Sequence, residues 1–118
     1  MNRLRIKRIY EAPSPDDGQR VLVDRLWPRG VSKERAKLSE WYKDIAPSSE
    51  LRKCFGHDPV HWLEFQIRYR HELEANPVAV AHMCALRSKG DLTLLYAALD
   101  PVINHAGVLL DYLHAQCR

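Results

Sequence analysis

The segment from Val21 to Gly30, VLVDRLWPRG, constrains the fold of this chain more than any other. Its first three residues are apolar without alternation, which is typical of a strand buried on both faces of a sheet covered by helices. Polar residues follow at the carboxyl end of this predicted strand, where sheets of this kind bind their ligands. The segment therefore predicts an α/β fold with a candidate site at a strand end.

A second stretch near the end of the chain repeats this arrangement. The run LTLLYAAL, from Leu92 to Leu99, is apolar, and Asp100, Asn104 and His105 come soon after it. Because parallel strands end at the same edge of a sheet, we expect both polar clusters to surround one cleft.

The composition is that of one globular domain. The chain has 118 residues, of which 46% are hydrophobic and 28% are charged, so it can bury a core without disulfides or a metal. It contains no run of about 18 apolar residues, and its first residues, MNRLRIKRIYE, lack the apolar segment of a secretory signal. We therefore expect a single α/β domain over residues 1–118, no membrane span and a cytoplasmic location.

The positive charge of the chain is modest. The formal net charge is +3, whereas a nucleic-acid-binding protein usually concentrates more positive charge on one face. An anionic small ligand needs only two or three well-placed arginines. The charge thus favours an anionic small molecule as the partner, with nucleic acid as the alternative, and no feature sets an oligomeric state.

The three cysteines, Cys54, Cys84 and Cys117, are far apart and form no CxxC pair. This spacing supports neither a zinc ribbon nor a thioredoxin-type site, and we predict a core thiol at Cys84 and a fraying end residue at Cys117. Cys54 lies close before His57, so a Cys–His nucleophile is the alternative there. His57 and His61 have metal-ligand spacing, but no third ligand is obvious. We predict neither a metal nor a cofactor.

Local patterns predict the strands outside the two apolar runs. Alternation over Arg3–Tyr10 indicates a half-buried strand, whose basic side chains either protect a sheet edge or form a nucleic-acid-binding stripe. The loop Glu11–Gly18 is too short for an ordinary helical crossover. The first two strands are therefore expected to be antiparallel or joined by an unusually tight connection. Residues 40–46 fit a short strand or a helical turn.

Capping residues set the limits of five predicted helices, because each helix follows a Ser, Asp or Asn suited to an N-cap. The predicted ranges are 33–37, 49–55, 59–75, 77–89 and a last helix that starts at Pro101 or Asn104 and ends near Ala115. We expect Val21–Trp27 and Leu92–Ala98 to be neighbours at the sheet centre. The elements predict a small α/β domain with a central, mostly parallel or mixed sheet flanked by helices.

Four motifs, in order along the chain, resemble one known family. They are VLVDRLWPRG, ELRKCFGHDP (Glu50–Pro59), FQIRYRHEL (Phe65–Leu73) and TLLYAALDPVINHAGVLLDYL (Thr93–Leu113). Together they resemble the domain-of-unknown-function family 488, in its short YeaO-like branch, over nearly the whole chain. The resemblance implies a compact bacterial or archaeal α/β domain whose biochemical activity is not established. A transcriptional-regulator label accompanies some members, but no helix-turn-helix pattern is evident here.

A longer branch of that family has cysteine motifs from which this chain departs. Its first motif resembles VDVRSFPRS, and its last strand leads into Cys-Ala-Glu and then Cys-His-Arg. Tyr96 stands where that branch has its first Cys, and Asn104 and His105 stand near its Cys-His. The resemblance therefore does not extend thiol or metal chemistry to this chain. Short-branch relatives often carry Lys where this chain has Leu99, a departure that removes a cation beside the expected cleft.

The candidate site residues divide into catalytic and ligand-binding groups. Asp24 is a candidate general base, or a carboxylate that holds Arg25 or Arg29 in place. His105, in the first turn of the last helix, is a candidate proton carrier or a core histidine bonded to a neighbouring loop. The ligand-binding candidates are Arg25, Trp27, Arg29, Gly30, His57, Tyr96, Asp100 and Asn104.

Three of these candidates have a structural alternative. Arg29 suits an anionic ligand or an ion pair that closes a tight loop. Trp27, like Trp41, suits stacking on a ligand ring or plain packing. Asn104 is equally a plain N-cap.

Three classes of function follow. The first is an enzyme or sensor that binds an anionic metabolite, nucleotide-like or phosphorylated. The alternative is a nucleic-acid-binding or transcription-regulatory module, suggested by the basic first strand, the Lys33–Lys37 segment and the tryptophans. The third is a non-catalytic partner module with an exposed apolar patch.

Overall fold

Four parallel strands form the centre of the fold in the part of the chain that the structure describes. The computed structural model describes residues 2–56 and 58–117. The strands are β1 (Leu4–Arg8), β2 (Gln19–Leu22), β3 (Glu40–Trp41) and β4 (Leu92–Tyr96). Their order in the sheet is β1-β4-β2-β3, and all three pairs are parallel. The predicted α/β fold class, with a parallel sheet flanked by helices, is confirmed.

The two apolar runs are neighbours at the sheet centre, as predicted. Val21 pairs with Leu94 and Leu22 with Leu95, and these side chains are fully buried. Both strands end earlier than predicted because the chain turns away beyond them. Val23 extends the ladder between β2 and β4 by one residue, by donating its N–H to the Leu95 carbonyl at 3.0 Å.

Five α-helices surround the sheet within residues 2–56 and 58–117. They are α1 (Lys33–Ala36), α2 (Ser49–Phe55), α3 (Trp62–Glu74), α4 (Pro77–Lys89) and α5 (His105–Gln116), with 3-10 helices at Pro15–Asp17, Lys43–Ile45 and Pro59–His61. Ser32, Ser48 and Asn104 each accept a backbone N–H as the predicted N-caps. Residues 40–46 contain both predicted alternatives, a two-residue strand and a helical turn. Within the described ranges, no helix has the length and apolar character needed to cross a membrane.

The two faces of the sheet carry cores of unequal size. Val21, Leu94 and Leu4 pack in the larger core with residues of α2 to α5, among them Tyr69 and Leu109. On the opposite face, a smaller cluster includes Leu22 and Leu95 packed with Val31 and Ala36. Because neighbouring strand residues point to opposite faces, the unbroken apolar run in β2 supplies both cores.

The connection between β1 and β2 replaces a crossover helix with a polar network. Its residues 9–18 carry the chain across β4, so β1 and β2 are parallel and not adjacent. The antiparallel alternative was therefore wrong, and the tight connection was right. Asp17 lies at the network centre: it accepts from Lys7 and Arg20, while its carbonyl accepts from the Thr93 hydroxyl at 2.7 Å. These contacts hold the short connection against the sheet.

A disulfide joins α4 to the end of α5. Cys84 and Cys117 are bonded, with their Cα atoms 5.1 Å apart, so the predicted core thiol and fraying end residue were wrong. The two half-cystines are 33 residues apart in sequence. They meet because α4 and α5 pack side by side, a tertiary arrangement that cysteine spacing does not encode. Cys54 is exposed and is not in a disulfide.

Candidate functional site

A cleft of about 1020 Å³ opens at the carboxyl ends of β2 and β4. Its walls come from the loop after β2, the loop after β4, α2 and the start of α5. Seven predicted site residues line it: Asp24, Arg25, Trp27, Arg29, Asp100, Asn104 and His105. The cleft thus lies where parallel strands with helical connections place their ligand sites.

Asp24 and His105 are in contact and link the ends of the two central strands. Asp24 Oδ2 accepts from the Ala97 N–H at 3.0 Å, and Oδ1 lies 3.1 Å from His105 Nε2. The same Nε2 lies 3.0 Å from the Val23 carbonyl. Both side chains are about 15% exposed, so this pair sits at the base of the cleft.

The contact with Val23 identifies the protonated nitrogen of His105. A carbonyl oxygen only accepts, so Nε2 carries the hydrogen, and the lone pair of Nδ1 is left available as an acceptor in the neutral ring. Nε2 is within ion-pair distance of Asp24 Oδ1, yet that buried oxygen has no hydrogen bond among the described residues. We infer that the N–H points at Val23 and that the Asp24 contact is electrostatic.

A buried tyrosine supports the His105 ring. The Tyr69 ring centroid lies 6.2 Å from that of His105, edge-on, and its hydroxyl donates to the Ile45 carbonyl at 2.7 Å. Burial raises the pKa of Tyr69 well above its ordinary value, so the hydroxyl stays a donor. His105 is therefore held from three sides, as a histidine bonded to a neighbouring loop would be.

The two arginines of the first motif do not pair with Asp24. Arg25 instead donates to the Pro47 and Ala46 carbonyls, at 3.1 and 3.2 Å. The interpretation of Asp24 as an arginine holder was therefore wrong, because the tertiary fold brings His105 to it. Arg29 is exposed on the cleft wall, and no side-chain partner for its guanidinium occurs within residues 2–56 and 58–117.

Two further cations of the cleft, Arg52 and Lys53, were not predicted. They lie in the last turn of α2 and line the wall. Neither forms an ion pair or a side-chain hydrogen bond with another described residue. Their sequence context, SELRKCF, indicates only a short capped helix. Its placement beside the loop after β2 is a tertiary feature, so the sequence carried no signal for them.

The tryptophans organise the loop after β2. Trp27 Nε1 donates to the Val31 carbonyl at 2.6 Å, and Trp41 Nε1 donates to the Asp24 carbonyl at 2.7 Å. The two indoles meet edge-on, with centroids 5.2 Å apart. These contacts agree with the packing alternative, although one side of Trp27 also lines the cleft.

Asp100 and Asn104 shape the loop that leads into α5. Asp100 Oδ1 accepts from the backbone N–H groups of Ile103 and Val102, and these bonds lower the pKa of Asp100. Asn104 is buried; its Oδ1 caps α5 at Gly107, and its Nδ2 donates to the Asp100 carbonyl. Both residues line the cleft, but their bonds show structural roles.

Two predicted ligand-binding residues, Tyr96 and Gly30, do not line the cleft, and a third, His57, cannot be placed. Tyr96 is buried in the larger core, and burial raises its pKa. It is the last residue of β4 and shares a face of the sheet with Leu92 and Leu94, so its side chain belongs to the larger core. Gly30 is exposed with a φ of 77° and forms no part of the wall. His57 lies outside the described residues. Within those residues, no group of three or more His, Cys, Asp and Glu side chains could hold a metal.

Comparison with known proteins identifies the family. A family model described as "Inactive DUF488-N3 subclade" matches residues 3–118. The chain belongs to the DUF488 family. It is 42% identical to the uncharacterized protein YeaO of Escherichia coli K12 over 112 residues, which cover 95% of this chain and 97% of YeaO.

A mycobacterial relative is similar to the same extent. The chain is 41% identical over 114 residues to the uncharacterized protein Rv3073c of Mycobacterium tuberculosis H37Rv, covering 97% of this chain and 96% of the relative. No solved structure matches the chain significantly. These relatives confirm the predicted YeaO-like branch and carry no activity in their names.

Proposed function

We propose that this protein binds an anionic small molecule, nucleotide-like or phosphorylated, in the cleft at the carboxyl ends of β2 and β4. One observation carries the proposal: Arg29, Arg52 and Lys53 line a cleft of about 1020 Å³ without an anionic partner among the described residues. Cationic side chains that face one concavity attract a phosphate or carboxylate, and arginine offers it a fixed fork of donors. The cleft volume is at the upper end of the range for small-molecule sites.

Arg25 has a supporting role in this proposal. Its guanidinium is anchored on the Pro47 and Ala46 carbonyls, so its charge is held at the cleft wall. It adds positive potential to the site at little further entropic cost, because the side chain is already ordered. Ligand contact itself falls to Arg29, Arg52 and Lys53, whose donors remain available.

Asp24 and His105 are the groups that would move a proton if the bound molecule reacts. His105 Nδ1 is the atom that would take it, since Nε2 is turned to the Val23 carbonyl. The matched family model is described as inactive, which favours binding without turnover. We therefore propose a ligand sensor or binding protein, with catalysis as the extension that an activity test on the bound ligand would reveal.

Nucleic acid remains the alternative partner, and the first strand gives it little support. Arg3 forms an ion pair with Asp91, and Arg5 and Lys7 form ion pairs with Asp17. These basic side chains are therefore partly neutralised by the protein itself. A nucleic-acid contact would predict binding that weakens steeply as salt is raised, because counterions are released.

A thermal-shift screen tests the proposal. The purified protein is heated with nucleotides, sugar phosphates, simple carboxylates and short oligonucleotides, beside Arg29→Ala and Arg35→Ala. Arg35 is a matched control, because it is an exposed arginine on α1 outside the cleft. A ligand at a hundred times its Kd should stabilise the folded state by about 2.7 kcal/mol.

The variants give the outcomes. Loss of a charged hydrogen bond of about 1.5 to 3 kcal/mol should weaken anion binding roughly 10- to 150-fold in Arg29→Ala and leave Arg35→Ala unchanged. The cleft would be refuted as an anion site if no anion raises the melting temperature of the wild-type protein. It would also be refuted if an anion raises the melting temperatures of Arg29→Ala and Arg35→Ala equally. A shift with oligonucleotides alone that fades with salt would favour the nucleic-acid alternative.

A further inference from the structure

The mouth of the cleft exposes two large apolar side chains. Leu26, in the loop after β2, is 61% exposed, and Leu99, in the loop after β4, is 86% exposed. Both line the cleft, one on each of the two loops that follow the central strands. Exposed leucines in a binding cleft are expected to be covered when the site is filled, because that covering removes apolar surface from water.

Part of the cleft lining is also apolar. Phe55 and Phe65 line the cleft, and their rings pack with centroids 4.6 Å apart. Pro28 and Pro47 are buried in the same wall. Prolines offer no N–H donor, so this part of the cleft is made of surfaces that bind by contact.

Several polar groups near this apolar part of the cleft already have partners within the protein. Asn104 is bonded at both ends of its amide, and Asp100 Oδ1 accepts two backbone N–H groups. Asp24 Oδ1, which has no hydrogen bond among the described residues, has almost no accessible surface. His105 Nδ1 remains available, but a sugar with several hydroxyl groups would still leave some of them without a hydrogen-bond partner here, which costs binding free energy.

We infer that the ligand is an amphiphilic anion, with an anionic head for Arg29, Arg52 and Lys53 and an aromatic or alkyl body that Leu26 and Leu99 cover. This inference rests on the proposed function and names the ligand class of the same cleft. The cations provide attraction to the head, and the leucines and phenylalanines select an apolar body over a hydroxylated one. A hydroxyl-rich sugar phosphate carries the same head but loses this second contribution.

The test compares phosphates that share a head and differ in body. Binding of inorganic phosphate, ribose 5-phosphate and 2-naphthyl phosphate is measured by titration calorimetry on the full chain. We expect 2-naphthyl phosphate to bind at least about tenfold more tightly than ribose 5-phosphate, the effect of burying one to two leucine-sized surfaces.

Two leucine variants locate the effect. Leu26→Asn and Leu99→Asn should each weaken 2-naphthyl phosphate about three- to tenfold and leave inorganic phosphate unchanged. Leu63→Asn is the matched control, because Leu63 is 70% exposed on α3 and does not line the cleft. All three leucines are at the surface, so the variants should fold, which their unliganded melting temperatures verify.

The outcomes separate the two proposals. If ribose 5-phosphate binds as tightly as 2-naphthyl phosphate, or if Leu99→Asn and Leu26→Asn behave like Leu63→Asn, the amphiphilic ligand is refuted and the anion site stands. If none of the three phosphates binds, both proposals are refuted. If Arg29→Ala weakens all three phosphates and the leucine variants weaken only the naphthyl ester, both are supported.

Discussion

Replacing Asp17 by asparagine should destabilise this protein more than any other single charge removal. The carboxylate is 2% exposed and accepts from Lys7 Nζ at 3.0 and 3.2 Å, from the Ser14 N–H at 3.0 Å and from the Arg20 guanidinium. Arg20 is itself buried and donates from Nε and Nη2 to the Ala36 carbonyl. Asp17→Asn would leave that guanidinium without its counter-charge.

The magnitude follows from this burial. Breaking a buried ion pair by removing one partner costs about 3 to 5 kcal/mol, because the other charge stays desolvated. At roughly 4 °C per kcal/mol for a domain of this size, the melting temperature should fall by roughly 12 to 20 °C. Asp16→Asn is the matched control: Asp16 is the adjacent, exposed residue of the same 3-10 helix, and its change should stay within about 0.5 kcal/mol.

The pH dependence gives an independent readout of the same group. Burial alone would raise the pKa of Asp17, but the hydrogen bond from Ser14 and those from Lys7 and Arg20 outweigh it and lower the pKa. A folded-state pKa below the unfolded value contributes stability above the unfolded pKa, near 4, and that stability is lost as pH falls through the folded pKa. Asp17→Asn should therefore lose less stability than the wild type as pH falls below about 4.

Urea unfolding at pH 7 and across the acid range measures both effects. A free energy of unfolding for Asp17→Asn within about 1 kcal/mol of that for Asp16→Asn would refute the reasoning. The same holds if Asp17→Asn and the wild type lose equal stability as the pH falls into the acid range. An m-value that changes with the substitution would instead place the effect in the unfolded state.

Three further predictions concern stability. Reduction, or Cys84→Ser with Cys117→Ser, should lower the free energy of unfolding by about 3 to 4 kcal/mol, the chain-entropy estimate for a separation of 33 residues; equal urea midpoints with and without reductant would contradict this. Tyr69→Phe should cost about 1 to 2 kcal/mol, because the buried Ile45 carbonyl loses its donor; an unchanged melting temperature would count against the bond. Gly18→Ala should lower the free energy of unfolding by more than backbone strain alone, which costs about 1 to 3 kcal/mol, because the new Cβ would lie 2.5 Å from the Asp91 carbonyl oxygen. Gly30→Ala should cost only the strain, because a Cβ at Gly30 meets nothing within 4 Å. Calorimetric melting measures both variants, and an equal loss of stability in the two would disprove the clash.

Local chemistry along the chain predicted the central strands and the helix limits. The run Val21–Val23 is apolar at consecutive positions, and only a strand covered on both faces buries every side chain of such a run. Ser32, Ser48 and Asn104 predicted the starts of α1, α2 and α5, because an N-cap bond joins residues only three positions apart in the sequence. The same reasoning placed polar residues at two strand ends and thereby located the cleft.

The pairing of side chains across the cleft was decided by tertiary structure alone. Asp24 meets His105, 81 positions later, rather than the adjacent Arg25. Arg52 reaches the cleft only because α2 packs beside the loop after β2. Cys84 and Cys117 meet because two helices lie side by side. Contacts between distant residues depend on how whole elements pack, and neither periodicity nor capping carries that information.

The sequence by itself therefore determined which segments are strands and helices and which edge of the sheet carries the polar groups. Those features depend on burial periodicity and on bonds within a few residues. Tertiary structure decided that β4 lies between β1 and β2, and that Asp17 bridges the connection. It also decided which cations stay unpaired in the cleft, because the availability of a charge depends on the groups that the folded chain brings within reach of it.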